Sequence, residues 1–255
     1  MLASLLACQS GVKRDQAVVP RFKGKAGDVN LTRYFSTSQT KTYAGEQLVK
    51  DRTESVEFDV ENRVLDVDPK GNIRYEARTT EKDGMVELHD LAFPELGEKI
   101  EFLVTPMAQV LRAGSFPPES LFFVPSLPIP KEPVRIGDSW PLEYTWASAH
   151  GGIPLRLQIV AILKDLKRCE EKDLCAKIEI SGSVQLVAPP TANARFTSRL
   201  SGTMLFNLDR GDVIWSLTHG EENMISEQER VNVRSCMMGV MQVKGQMKAE
   251  PTCDP

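Results

Sequence analysis

The chain carries only three histidines in 255 residues, at positions 89, 150 and 219. None stands in an H-x-x-x-H or H-E-x-x-H spacing, so no helix-borne metal pair is encoded. C-x-x-C pairs, Gly-rich phosphate loops and P-loops are missing. No apolar run approaches the roughly 18 residues of a spanning helix. No window longer than about 12 residues keeps a clean 3.6-residue apolar stripe, so helix is expected to be a minor component. A basic patch is also lacking. Net charge is −4 with both signs interspersed, which excludes a nucleic-acid surface. The densest basic cluster, Lys164, Lys167 and Arg168, sits beside Glu170 and Glu171.

Fragments of chemical motifs fail on their partners. His150-Gly151-Gly152 has the look of an esterase oxyanion loop, but no G-x-S-x-G elbow accompanies it. Asp66-x-Asp68-x-Lys70-Gly71 starts like a calcium loop, yet its fifth position is Lys70 and its twelfth is Ala77. Glu170/Glu171 and Glu221/Glu222 are sequence neighbours, which point to opposite faces of a strand and cannot work as an acid–base pair. The expectation is a protein that is not an enzyme, with no catalytic residues, no metal and no cofactor.

Period-two alternation, the mark of strands with one buried face, is abundant. Ile178, Ile180, Val184 and Leu186 share a face, as do Leu155, Leu157, Ile159 and Leu163. So do Val56, Phe58 and Val60, then Ile73 and Tyr75, then Met204, Phe206 and Leu208, and then Val213, Trp215 and Leu217. Turns are expected at Asp68–Asn72, Lys82–Gly84, Thr105–Ala108 and Asp209–Asp212. The fold class is therefore mostly β: antiparallel curved sheet, as a sandwich or an open half barrel, with little helix.

One stretch breaks the rhythm. Seven prolines fall between Pro117 and Pro141, which rules out sheet interior. The same stretch carries Phe122, Phe123, Val124, Leu127 and Ile129, with Phe116 just ahead of it, so it is expected to pack against the domain rather than hang free. It divides the chain into a first β half over 28–112, a connecting loop over 113–141 and a second β half over 142–255.

The cysteines are at 8, 169, 175, 236 and 253. Cys169 and Cys175 bracket a polar turn between two strand-like runs, where cross-strand neighbours come within disulfide reach. The pairing Cys169–Cys175 and Cys236–Cys253 is favoured among the three that four cysteines allow. Spacings of five and sixteen intervening residues do not suit a structural zinc site.

The fifth cysteine ends Leu5-Leu6-Ala7-Cys8, which resembles the lipobox of bacterial lipoproteins. The resemblance implies that Cys8 carries acyl chains of the palmitate class. It implies that 1–7 is a truncated signal-peptide remnant and that 8–27 is a lipidated tether. Gln9 after the cysteine implies, by the same resemblance, an outer-membrane lipoprotein facing the periplasm. A second motif, Val134-x-x-Gly137-Asp138-Ser139-Trp140, resembles a signature in uncharacterised β-rich envelope proteins and implies no activity. Its physical reading is a tight turn at Gly137-Asp138 with Trp140 burying its ring at a strand start.

Two functions fit. In the first, the chain is a non-enzymatic, membrane-anchored binding protein whose curved sheet encloses an apolar groove for a lipid or other hydrophobic ligand. Phe116, Phe122, Phe123 and Trp140 are then the candidate ligand contacts, with the proline-rich loop as a lid. The methionines at 204, 224, 237, 238, 241 and 247 suit such a groove, because methionine adapts to irregular apolar shapes. In the alternative, a fully packed β core serves as an interaction module of a multiprotein envelope assembly. The groove reading requires a continuous apolar cavity above about 300 Å³.

Overall fold

The computed structural model describes residues 15–148, 152–169, 173–188, 194–243, 246–247 and 253. Cys8, His150 and Gly151 lie outside the described residues. The strands are β1 (Val29–Ala44), β2 (Gln47–Val67), β3 (Ile73–Gly84), β4 (Lys99–Val104), β5 (Val110–Ala113), β6 (Ser139–Ala147), β7 (Pro154–Arg168), β8 (Leu174–Leu186), β9 (Arg195–Asn207), β10 (Asp212–Ile225), β11 (Arg230–Val243) and β12 (Gln246–Met247). Single turns of 3-10 helix stand at Leu88–Leu91 and Leu121–Phe123.

All strands belong to one antiparallel sheet in the order β5-β4-β3-β2-β1-β11-β10-β9-β8-β7-β6, with β12 attached to β11. The fold is the open half barrel of the two expected forms, not the sandwich. The two β halves meet edge to edge where β1 pairs with β11, from Leu31↔Gln242 to Tyr43↔Arg230. The opening lies in the middle of the chain, between β5 and β6. These edges are joined by the stretch that holds the prolines. Six prolines between Pro117 and Pro133 supply no N–H, and no strand forms between β5 and β6. Pro141 sits in edge strand β6, where a missing donor is tolerated.

Asp68–Asn72 forms a turn in which the Asp68 carboxylate accepts from the Lys70 and Asn72 backbone N–H groups, and Gly71 has φ +82°. Cys169–Cys175 closes the β7–β8 turn, and Cys236 of β11 is bonded to Cys253. At Gly137, φ is +97°, and the Asp138 carboxylate accepts from the Arg135 N–H.

Three sequence expectations change. Lys82–Gly84 is not a turn but the end of β3, because β2 is long enough to keep pairing as far as Val56↔Gly84. Val213, Trp215 and Leu217 do not share a face. A β-bulge shifts the register between Val213 and Trp215, and the added residue reverses the alternation. The segment expected as a tether over 8–27 is docked from Val18 onward. Val18 pairs with Val134, and the Arg21 guanidinium donates to the carbonyls of Pro130 (2.9 Å) and Lys131 (2.9 Å).

On the face away from the cavity, Asp59 is 4% exposed and receives a two-pronged bond from Arg33, at 2.8 and 2.7 Å. Gln242 of β11 adds its amide at 3.3 Å. This group ties β1, β2 and β11 together at the seam of the two halves. Arg33→Met strands the Asp59 carboxylate and is expected to cost about 1–3 kcal/mol in urea unfolding. The double variant Arg33→Met/Asp59→Asn recovers part of that loss.

Candidate ligand-binding cavity

The sheet buries its inner face against itself, and two packed clusters result. One holds Val56, Phe58, Val60, Ile73 and Phe102 of the first half. The other holds Leu157, Ile159, Ile178, Ile180 and Phe206 of the second half. The proline-rich loop contributes to both, with Phe122 and Phe123 in the first and Leu127 in the second. Between the clusters the inner face is not filled. A cavity of about 1070 Å³ remains, well above the size that a groove for a small hydrophobic ligand requires.

Its two walls differ in chemistry. The first half supplies rings: Tyr34, Tyr75, Phe93 and Phe102. Phe22 of the docked N-terminal segment and Phe122 of the loop complete this wall. Tyr75 stacks on Phe102 at 5.1 Å, with Phe22 edge-on at 6.3 Å. Tyr34 stacks on Phe58 at 5.2 Å, and Phe93 lies against both. The second half supplies branched aliphatics and a thioether: Leu142, Leu157, Ile159, Ile180, Leu200 and Met204. Met237 and Met241 of β11 form the strip between the walls, with Gly239 between them. A Cβ at Gly239 would stand 2.6 Å from the Tyr34 ring, so glycine is what lets that ring lie against β11.

Charged lining is gathered at one end. Lys23, Lys25 and Asp28 come from the N-terminal segment, and Asp209, Arg210 and Asp212 from the β9–β10 turn. The Lys23 ammonium donates to the Leu208 carbonyl at 2.7 Å, and Arg210 faces Asp212 at 3.3 Å. Two phenols also reach the cavity. Burial pushes the Tyr34 phenol up to about 12, partly offset by its hydrogen bond with Thr32. Burial raises Tyr75 as well, and the nearby Tyr34 phenol adds to that rise. Both therefore stay protonated donors.

Of the four expected ligand contacts, Phe122 alone lines the cavity. Phe116 stacks behind it at 3.9 Å, and both rings meet the edge of His89. Phe123 is buried in the first-half core. Trp140 is buried in the second-half core, where its indole N–H donates to the Pro128 carbonyl at 2.7 Å. Among the methionines, 204, 237 and 241 line the cavity, while Met224 is exposed. The contacts that sequence reasoning missed are Phe22, Tyr34, Tyr75 and Phe93. A glycine inside strand β11 was the available signal for Tyr34, since an interior strand glycine marks close approach.

No protein-family model matches this chain, and no curated protein is similar to it. Among solved structures, a LolA superfamily protein of Nitrosomonas europaea aligns over 83% of this chain and 87% of its own, at 10% identity and a TM-score of 0.14. A likeness at that level carries no argument about fold or function.

Phe122 is the keystone of the loop wall, and its removal opens the cavity on that side. Phe122→Ala is expected to lower stability by about 3–5 kcal/mol, read from equilibrium urea unfolding. A loss under about 0.5 kcal/mol, the size of a surface change, would contradict its place in the wall.

Proposed function

We propose that this chain is a non-enzymatic envelope protein that holds a hydrophobic ligand, an amphiphile with an acyl chain, inside its half barrel. One observation carries the reading: a cavity of about 1070 Å³ whose two walls are rings on one side and aliphatic chains on the other. Apolar space of that size is costly to leave empty, and an apolar guest recovers the lost contacts. A polar rim at one end and apolar walls beyond it suit an amphiphile. The alternative of an interaction module with a fully packed core lacks this support.

The same proposal places Cys8 as the acylated anchor and the domain at the outer membrane, facing the periplasm. The lipobox supports the anchor. The two disulfides support an oxidising compartment, because such bonds persist where thiols are not kept reduced.

Native mass spectrometry of the domain that starts after Cys8, purified from a bacterial periplasm, tests the reading. The expected result is an excess mass that vanishes on denaturation and matches an acyl-chain lipid. The denatured chain is expected to be four hydrogens lighter than its reduced form, two for each disulfide. Leu200→Trp, which places an indole in the cavity, is expected to lose most of the bound mass. A bare mass for the unmodified protein would overturn the proposal.

A further inference from the structure

Charged groups stand at the cavity rim, while the ring-bearing wall offers phenol hydroxyls. The Tyr75 hydroxyl has no hydrogen-bond partner among the described residues. Its ring is fixed between Phe102 and Phe22, and it lines the cavity together with Tyr34. A tyrosine hydroxyl that opens onto an apolar cavity gains from an acceptor placed there. Resting on the proposed ligand cavity, we infer that Tyr75 is a specificity-determining anchor that donates a hydrogen bond to an uncharged carbonyl of the ligand. The acyl chain is thus attached through an ester or amide and is not a free fatty acid.

The choice of an uncharged carbonyl follows from where the charges sit. The cations that touch the cavity are Lys23, Lys25 and Arg210. All three belong to the rim, together with the same number of carboxylates, at 28, 209 and 212. Lys23 is already spent on two backbone carbonyls, Arg210 faces Asp212, and Lys25 is exposed to solvent. The ring-bearing wall around Tyr75 carries no cation. A carboxylate placed there would be a buried charge without a counter-ion, which is costly. An ester or amide oxygen needs only a donor, which the Tyr75 hydroxyl offers. Tyr34 lines the same wall and marks the same region as polar.

The test compares two probes that differ only in this carbonyl. The oxidised full-length protein is loaded with N-phenyl-1-naphthylamine, an apolar fluorophore. It is then displaced by 1-monopalmitoylglycerol, an ester, or by 1-O-hexadecylglycerol, the matching ether. The ester is expected to compete about five- to tenfold better than the ether, the value of one neutral hydrogen bond. Palmitate is expected to compete worse than the ester. In Tyr75→Phe the ester-to-ether ratio is expected to fall to about one, whatever happens to the affinity for the fluorophore, because the lost bond is the source of the difference. A ratio near one in the unmodified protein would overturn the anchor while leaving the cavity reading intact. A ratio unchanged in Tyr75→Phe would overturn the role of Tyr75. A protein that binds neither fluorophore nor lipid would overturn the cavity reading itself.

Discussion

A sheet with one apolar face must cover that face, and this chain has no second layer to do it. No α-helix packs on the sheet among the described residues, and no second sheet stacks on it. The sheet therefore curls and covers itself. Curling alone would end in a closed barrel if the two edges could pair. They do not: β5 and β6 stand at the two ends of the strand order, and the proline-rich chain that joins them forms no strand. The gap is instead walled by side chains, chiefly Phe122, Val124 and Leu127. The hollow interior is what this compromise leaves.

The hollow is stable because its walls are anchored elsewhere. Each wall is the inner surface of its own packed cluster, and the loop spans both. The seam between them is the long β1–β11 ladder, locked from outside by the Arg33–Asp59–Gln242 group. Collapse of the cavity would require breaking that ladder or unstacking the aromatic wall. A guest molecule is the cheaper way to cover the surface. The docked segment from Val18 to Lys23 acts on the same space, because Phe22 reaches into it while Arg21 and Lys23 hold the backbone from both sides.

The strands were legible because alternation is local. Ile178 and Ile180 face inward as their spacing predicts, and the turn at Asp68–Asn72 forms where its residues place it. The disulfide across Glu170–Leu174 was legible for the same reason. The apolar proline-rich segment announced that it packs, and it does. What escaped depended on distance or on a single inserted residue. The bulge beyond Val213 leaves no local trace, yet it sends Trp215 to the other face. Tyr34 and Tyr75 read as ordinary strand residues. Their shared cavity exists only because β1 finds β11, some two hundred residues away, and because the whole sheet then curls. Phe22 looked like part of a tether, since nothing in its neighbours shows that Val18 will pair with Val134.

The central claim is that the interior is a ligand site and not a packing defect. Crystals grown with a monoacylglycerol brominated along its acyl chain test it most directly, by anomalous scattering from bromine. The account predicts a bromine peak inside the half barrel, among Leu157, Ile180 and Met204, with the aromatic wall opposite it. Bromine found only on the outer surface, with the interior closed by rotated side chains, would contradict it.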